Sequence, residues 1–354
     1  MMALATAPAS NLEMTASPAG PQPQIRIVYR TGQGEVHFDW PVERIAEAVA
    51  DSQGTLWVDI EDRGSNGATV EPLLRDVFQF HPLAIEDALQ ESHVSKVDNW
   101  DRYLYLVFHS VEFNPEDHEI HLQELDIFLG ANYLVTYHFV PMPVLDQLRK
   151  NLERDAGRSL EQGADHILYL ALDLLVADYL PVIERLDDAI DSAQDEVFAA
   201  PTTRTLHRIF QVKRAALRLH RALIPQREVL NRLARDNYAQ IDAQDRVYFR
   251  DVYDHTVRLH DISETLRDLI SGALDTYLSA ISNRTNEVMK TLTLVTVMFL
   301  PMSFLAGFFG MNFFGATLAF ESPLPHTLLF WATCFIMFIT PGVMALWARH
   351  RGWF

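Results

Sequence analysis

The sequence is poor in cysteine and in positive charge. Its 354 residues include one cysteine, Cys334, so neither an intrachain disulfide nor a thiolate zinc site can form. Lysine and arginine number 29 against 47 aspartates and glutamates, which gives a formal net charge of −18. This deficit argues against nucleic acid as a partner, because a phosphate backbone is bound by clustered basic side chains. No Gly-x-x-x-x-Gly-Lys-Ser/Thr sequence is present, so the common phosphate-binding loop of ATP-driven pumps is excluded.

Charge is also missing from the C-terminal part of the chain. No charged residue lies between Lys290 and Glu321, and Glu321 is the only acidic residue after position 290. Residues 292–311 are almost wholly apolar, and a second uncharged stretch extends from about residue 326 to 348. About 20 apolar residues in a helix match the ~30 Å hydrocarbon core of a bilayer. The sequence therefore predicts two transmembrane helices joined by a short loop.

Basic residues indicate how these helices are oriented. Lys290 precedes the first span, Arg349 and Arg351 follow the second, and the loop between them has neither lysine nor arginine. Positive flanks stay in the cytoplasm, so we expect both termini inside and the loop outside the cell (inner) membrane. Residues 1–24 contain no basic residue, which is unlike a secretory signal or a mitochondrial presequence. We interpret this stretch as a disordered tail.

Residues 25–140 have the pattern of a mixed α/β domain. Alternation of apolar and polar residues predicts its strands, which lie at 25–30, 35–40, 55–59, 102–113, 122–129 and 133–139. The last two strands form a predicted hairpin that turns at Gly130-Ala131-Asn132. A helix is predicted from about residue 72 to 90, interrupted at His81-Pro82.

The following region is predicted to be helical. Two long helices, 166–198 and 202–238, carry an acidic and a basic stripe respectively. Such stripes indicate either a solvated helical hairpin with ion pairs or an acidic surface that gathers cations. From about residue 243 there is no proline until Pro301, which allows one helix of roughly 85 Å to leave the cytoplasm as a stalk and enter the bilayer.

Together these patterns predict an α/β cytoplasmic domain, long stalk helices and two C-terminal transmembrane helices. The expected segments are a tail (1–24), an α/β domain (25–140), a helical region (141–242), a stalk continuing into the first span (243–311), an external loop (312–325), the second span (326–348) and a basic tail (349–354).

One face of the first span is suited to lining a pore. Steps of three and four residues along it give a stripe of Asn286, Met289, Thr293, Thr296, Leu300, Ser303, Gly307 and Gly310. Its apolar members can gate by dewetting, although small residues also serve close helix packing. Neutral hydroxyl and amide oxygens suit Mg²⁺, which keeps its water shell, and a soft-metal site with cysteine or histidine is absent from this stripe.

The first span ends in Gly310-Met311-Asn312. The approach to this motif contains Tyr277-Leu-Ser, Asn286-Glu-Val-Met-Lys290 and Phe299-Leu-Pro301. Placed at the outer end of the first of two C-terminal spans, this sequence closely resembles the CorA family of magnesium transporters, and the resemblance extends over about residues 25–354. It implies a funnel-shaped homopentamer in the membrane lipid whose first span lines the pore.

The resemblance also implies roles for individual residues. Gly310, Met311 and Asn312 would select the ion, with five Asn312 side chains capturing hydrated cations at the outer mouth. The implied pore positions, together with those of the stripe, are Asn286, Met289, Leu292, Thr293, Thr296, Leu300, Ser303 and Gly307. Phe309 replaces the tyrosine that usually precedes the motif and so removes a hydroxyl near the mouth. The family's regulatory cation sites between subunits correspond here to Asp87 with Asp275 and to Glu86 with Asp173.

Three functions follow as hypotheses. The first is a passive Mg²⁺ channel gated by cytoplasmic Mg²⁺, with no cofactor besides that ion and no catalytic activity. The second is a Zn²⁺, Co²⁺ or Ni²⁺ transporter of the same architecture, with or without proton coupling. The third is a membrane-anchored metal-dependent enzyme that uses His81, Glu86, Asp87 and His93, although no two-histidine helical spacing supports it.

Overall fold

The computed structural model describes residues 22–64, 67, 69–91, 94–116, 119–155, 158–310 and 326–352. The chain forms two compact units. The first unit comprises Met1–Glu196 and Thr202–Leu274, and the second comprises Val197–Pro201 and Asp275–Phe354. The first unit holds a β-sheet together with helices, which confirms the predicted α/β domain with long helices.

A seven-stranded mixed sheet forms the centre of the first unit. Its strands are β1 (Gln24–Arg30), β2 (Val36–Phe38), β3 (Thr55–Glu61), β4 (Lys96–Asn99), β5 (Leu104–Asn114), β6 (Glu119–Leu129) and β7 (Tyr133–His138). The order is β2-β1-β3-β7-β6-β5-β4, with β3 and β7 parallel and the other neighbours antiparallel. The predicted strands are confirmed. The sequence pattern does not predict β4, because this short strand carries one apolar residue, Val97.

The central strands of the sheet are covered on both faces. All seven residues of β3 and all six of β7 are buried. On one face, Val58 and Ile60 join an apolar core to which the helices before β3 and β4 also contribute. In this core the rings of Phe80 and Phe128 stack with centroids 4.2 Å apart. The alternate residues of β3 point to the opposite face.

A buried ionic cluster joins β1, β3 and β7 on that opposite face. Asp59 accepts hydrogen bonds from the Thr136 hydroxyl at 2.7 Å and from Arg26 Nε at 3.0 Å, and His138 Nε2 lies 3.2 Å from its carboxylate. Burial disfavours the charged form of Asp59, but His138, Thr136 and Arg26 outweigh it and hold the pKa of Asp59 below its usual value. Arg26 and Thr136 are the register partners of Asp59, so the cluster fixes how the three strands align.

Helices account for most of the remaining chain. The α-helices in the described residues are α1 (Ile45–Ala50), α2 (Pro82–Gln90), α3 (Pro143–Arg154), α4 (Arg158–Glu161), α5 (Ala164–Ala177), α6 (Tyr179–Ala199), α7 (Thr203–Arg235), α8 (Arg246–Gly310) and α9 (His326–His350). Short 3₁₀ and π turns precede α1 and α2, at Val42–Arg44 and Leu73–Val77.

The predicted helix at 166–198 is wrong in one respect, because it is two helices. The break falls at Asp178, between α5 and α6. Pro181 explains it: proline has no N–H to give to the carbonyl of Ala177, and its ring collides with that carbonyl in a continuous helix. Proline is tolerated in the first turn of a new helix, which is where Pro181 lies in α6.

The next helix, α7, begins where the sequence predicts and ends three residues early, at Arg235. Thr202 and Thr205 form a capping box at its start, and Thr202 Oγ1 accepts the N–H of Thr205 at 3.2 Å. Across the α6–α7 hairpin, Arg208 of the basic stripe pairs with Glu196. Arg218 instead pairs with the sheet, where its guanidinium lies 3.8 Å from the carboxylate of Glu119 on β6. The ion pairs of the basic stripe are therefore divided between the hairpin and the sheet.

The long predicted helix is confirmed as α8, whose 65 residues pass Pro301 without a break. Arg246–Phe308 is long and apolar enough to cross a membrane, and only 6% of its most apolar 18-residue segment is buried. The stretch Ala164–Ala199, which comprises α5 and α6, passes the same test of length and composition, but 56% of its most apolar part is buried, as in the core helices of a soluble domain. The second expected span corresponds to α9. Its segment Cys334–His350 is apolar but shorter than the apolar part of α8.

We expect Asp59→Asn to lower the free energy of unfolding by about 3–5 kcal/mol, since it leaves Arg26 without its buried counter-charge and His138 without its carboxylate partner. Urea unfolding of the purified protein, followed by circular dichroism, measures the loss. Asp76→Asn is the matched control, because this carboxylate is 63% exposed and pairs only on the surface with Arg75. Equal losses in the two variants would contradict the role given to Asp59.

The same carboxylate predicts a pH dependence. The pKa of Asp59 is lower in the folded than in the unfolded protein, where it is about 3.9. Its stabilisation is therefore present above that unfolded value and is lost as the pH falls through the folded pKa. The difference in unfolding free energy between wild type and Asp59→Asn should therefore narrow as the buffer is acidified. A difference that stays constant with pH would contradict a stabilising role for the ionised Asp59 carboxylate.

Candidate ion pathway and regulatory residues

The apolar part of α8 in the second unit is exposed on nearly all sides. Val288, Phe299 and Phe304 are 61%, 59% and 67% exposed, while Leu294 is buried. Apolar surface costs about 25 cal/mol per Å² in water, and soluble monomers rarely expose it over such a length. This part of α8 therefore requires lipid, or further copies of the chain, around it.

The predicted stripe from Asn286 to Gly310, which we call the α8 stripe, occupies one side of this helix. At 3.6 residues per turn its positions fall within roughly 120° of arc, and Leu292 lies at the edge. Its members from Asn286 to Gly307 are all exposed, with Met289 and Leu300 at 54% and 64%. A Cβ added at Gly307 would meet no atom within 4 Å. The stripe is therefore open along its length, with apolar side chains separating the polar ones.

Two threonine hydroxyls of this region donate to carbonyls of their own helix. Thr296 Oγ1 donates to the Leu292 carbonyl at 2.9 Å, and Thr291 Oγ1 donates to the Glu287 carbonyl at the same distance. A hydroxyl has one proton, so the Thr296 oxygen can offer only lone pairs outward. Lone pairs of this kind accept hydrogen bonds from the water molecules around a hydrated cation.

The predicted selectivity motif is described only at its first residue. Gly310 is the last residue of α8. Met311 and Asn312 lie outside the described residues, as does the predicted external loop at 312–325. Their role stays a prediction from the sequence.

Two predicted regulatory carboxylates lie on α2, which is a well-defined helix. His81 caps it by accepting the N–H of Leu83 on Nδ1 at 3.2 Å, and Pro82 occupies the first turn. Asp87 is half-exposed and forms an ion pair with Lys96, whose ammonium is also 3.3 Å from Asp98. Glu86, the residue before it, is exposed and accepts a 3.4 Å hydrogen bond from Gln90.

Asp173 lies half-buried on α5, in a different electrostatic setting. Burial raises its pKa, His255 on α8 lowers it, and Asp251 on the same helix raises it. Sequence patterns did not single out Asp251 and His255. Their spacing of four residues on one helix was a visible signal, but their closeness to α5 depends on the tertiary fold. Asp275 belongs to the second unit and is exposed on α8.

The residues of the enzyme hypothesis do not form a catalytic site in the described part of the chain. His81 is committed to its cap, and its ring stacks on Trp100 with centroids 4.2 Å apart. Asp87 is paired with Lys96. His93 lies outside the described residues. The arrangement is that of a helix surface with ordinary caps and ion pairs.

Comparison with known proteins identifies the family. A family model described as "CorA-like Mg2+ transporter protein" matches residues 52–350. The chain is 37% identical to the cobalt/magnesium transport protein CorA of Thermotoga maritima, covering 74% of each chain. It is 27% identical to the divalent cation transporter CmaX of Pseudomonas aeruginosa, covering 80% of this chain and 82% of that protein.

The fold agrees with this assignment. The solved structure of the CorA magnesium transporter from Methanocaldococcus jannaschii matches with a TM-score of 0.77 at 22% identity, covering 93% of this chain and 98% of that one. The members of this family are transporters, which overturns the enzyme hypothesis and confirms the expectation of a non-enzyme. The chain belongs to the family of CorA-like Mg²⁺ transporter proteins and is a membrane transporter of divalent cations.

Proposed function

We propose that the protein is a passive, gated channel that admits Mg²⁺ to the cell through a ring of five identical chains. The observation that carries this proposal is the α8 stripe, in which neutral oxygens are exposed along one side of an otherwise apolar helix. No ionisable side chain lies between Lys290 and Glu321. A helix that only anchored the protein would not require polar groups on one continuous face.

Several copies are needed because two membrane helices per chain cannot enclose a path. In a closed ring each copy turns the same face of α8 to the axis. The number five is an inference from the resemblance of this chain to the CorA family. Met289 and Leu300 then form apolar rings that can close by dewetting, while Asn286, Thr293 and Ser303 form polar rings between or beyond them.

The chemistry of the stripe favours Mg²⁺ over softer ions. Mg²⁺ loses its water slowly and prefers oxygen ligands, so oxygens that accept hydrogen bonds from its hydration shell can guide it without stripping that shell. Ions such as Zn²⁺ favour imidazole and thiolate, which the stripe lacks. At the outer mouth we assign Asn312, with Gly310 and Met311, to the first capture of the hydrated ion.

A Co²⁺, Ni²⁺ or Zn²⁺ transporter is the second candidate. The name of the T. maritima relative includes cobalt as well as magnesium, and that of CmaX specifies only divalent cations. Coupling to protons would distinguish such a transporter from a passive channel.

No energy source besides the membrane potential is required. A dication that enters a negative interior gains about 4.6 kcal/mol per 100 mV, twice the value for a single charge. For this direction of transport we assign both termini to the cytoplasm and residues 312–325 to the outside, following the basic residues that flank the spans.

For the gate we propose that cytoplasmic Mg²⁺ bridges carboxylates of adjacent chains, with Asp87 facing Asp275 and Glu86 facing Asp173. Asp87 forms an ion pair with Lys96. When a cation displaces Lys96 from Asp87, Lys96 can stay bound to Asp98. Burial and Asp251 already disfavour the charge on Asp173, so a bound cation would be stabilising there. Bound Mg²⁺ holds the closed state, and its loss lets the carboxylates repel one another.

The face of α8 that meets water can be tested by cysteine substitution in a Cys334→Ala background. Thr296→Cys should react with a membrane-impermeant thiol reagent in Mg²⁺-free vesicles, and the reaction should block uptake, because position 296 faces the path. Met298→Cys is the control, since it lies about half a turn away on the helix. Equal labelling at both positions would contradict the assignment of this face.

Asn312→Ala should reduce Mg²⁺ uptake into liposomes about tenfold or more, which corresponds to about 1.4 kcal/mol of lost ion stabilisation at the mouth. Asn151→Ala, an exposed position on α3, should transport like wild type. Uptake at wild-type rates by Asn312→Ala would refute the capture role. Parallel assays with Zn²⁺, Co²⁺ and Ni²⁺, with and without a pH gradient, separate the second candidate from the first.

Asp87→Asn should leave the channel active at internal Mg²⁺ concentrations that close the wild type, because one carboxylate of the bridge is neutral. Asp98→Asn removes the other partner of Lys96 and should close normally. The measurement is Mg²⁺ influx against internal Mg²⁺ in loaded liposomes. The same shift in both variants would assign the effect to Lys96 and not to a cation bridge.

A further inference from the structure

Two histidines and a glutamate meet between α7 and α8 in the first unit. His220 lies on α7, while His260 and Glu264 lie one turn apart on α8. One ligand-type atom from each residue lies within 4.8 Å of the other two. The rings of the two histidines have their centroids 4.8 Å apart. These residues belong neither to the α8 stripe nor to the proposed gating carboxylates.

The hydrogen bonds around His220 fix which of its nitrogens is free. The buried hydroxyl of Ser263 donates its single proton to the His260 carbonyl at 2.7 Å. Ser263 Oγ is also 3.0 Å from His220 Nδ1, so here the hydroxyl must accept and Nδ1 must carry the proton. The Nε2 of His220 is then left with a lone pair. Metal-binding histidines are commonly oriented by such a hydrogen bond from their other nitrogen.

One ring nitrogen of His260 lacks a hydrogen bond in the described part of the chain. Its side chain is buried, and its Nδ1 has no hydrogen-bond partner among the described residues. The Asp261 carboxylate is 3.8 Å from this nitrogen, beyond hydrogen-bond distance. Buried polar atoms are normally satisfied, so an unpaired imidazole nitrogen beside a second histidine indicates a missing ligand.

We propose that His220, His260 and Glu264 form a binding site for a transition-metal dication of the Zn²⁺, Co²⁺ or Ni²⁺ type, which would connect α7 to α8. Two imidazoles and one carboxylate are a donor set that such ions accept, whereas Mg²⁺ prefers oxygen alone. Donor atoms about 2.0–2.2 Å from a tetrahedral zinc are about 3.3–3.6 Å from one another, so the cluster contracts on binding. Glu264 is exposed and can move inward.

The test uses the full-length protein, purified in detergent and stripped with a chelator. Co²⁺ is titrated in excess Mg²⁺, which occupies sites that prefer oxygen. We expect the intense visible bands of four-coordinate Co²⁺ at one equivalent per chain, and their disappearance when Zn²⁺ is added. The bands should be lost in His220→Ala and His260→Ala and kept in His207→Ala, an exposed histidine on α7.

Two further variants separate coordination from a loss of folding. Glu264→Gln keeps size but weakens the third ligand, and Ser263→Ala removes the hydrogen bond that orients His220. We expect Ser263→Ala to lower Co²⁺ affinity about 10- to 100-fold while the stoichiometry is unchanged. Circular dichroism and size-exclusion elution should match wild type. Absence of the bands from wild type, or their persistence in His220→Ala and His260→Ala, would overturn the proposal whichever ion the channel transports.

Discussion

The change in surface along α8 is the constraint on which the rest of the protein depends. In its first half the helix has one buried stripe, with Phe249, Val252 and Leu266 covered by the first unit. From Thr291 onward nearly all sides of the helix are exposed and mostly apolar, and no charged residue of the helix follows Lys290. One continuous helix is therefore packed on the first unit at one end and suited to lipid at the other.

The sheet is the most constrained part of the first unit. Its central strands are covered on both faces, and the ionic cluster around Asp59 aligns three of them. Buried charges are costly unless all partners are present, which makes this cluster specific to one register. The proposed gating residues differ in kind: Asp87 and Asp275 are at least partly exposed, as a site for an exchangeable ion requires.

The two proposed sites would divide hard from borderline metal chemistry between different parts of the chain. The α8 stripe offers neutral oxygens, which suit a hydrated Mg²⁺, and the cluster of His220, His260 and Glu264 offers nitrogen ligands behind a hydrogen-bonded serine. An ion attracted to one environment is poorly matched to the other. Such a division would keep tightly binding nitrogen ligands out of the proposed conduction path.

The sequence by itself determined all the strands except β4, the long α8 helix, the apolar spans and the oxygen-bearing stripe, because periodicity, charge and helix breakers are local properties of the chain. It also contained the family motif ending in Asn312. Only the tertiary structure decided which distant side chains meet. The partners of Asp59, the approach of Asp251 to Asp173, and the meeting of His220 with His260 depend on how helices and strands pack, and no spacing along one chain encodes the distance between two of them.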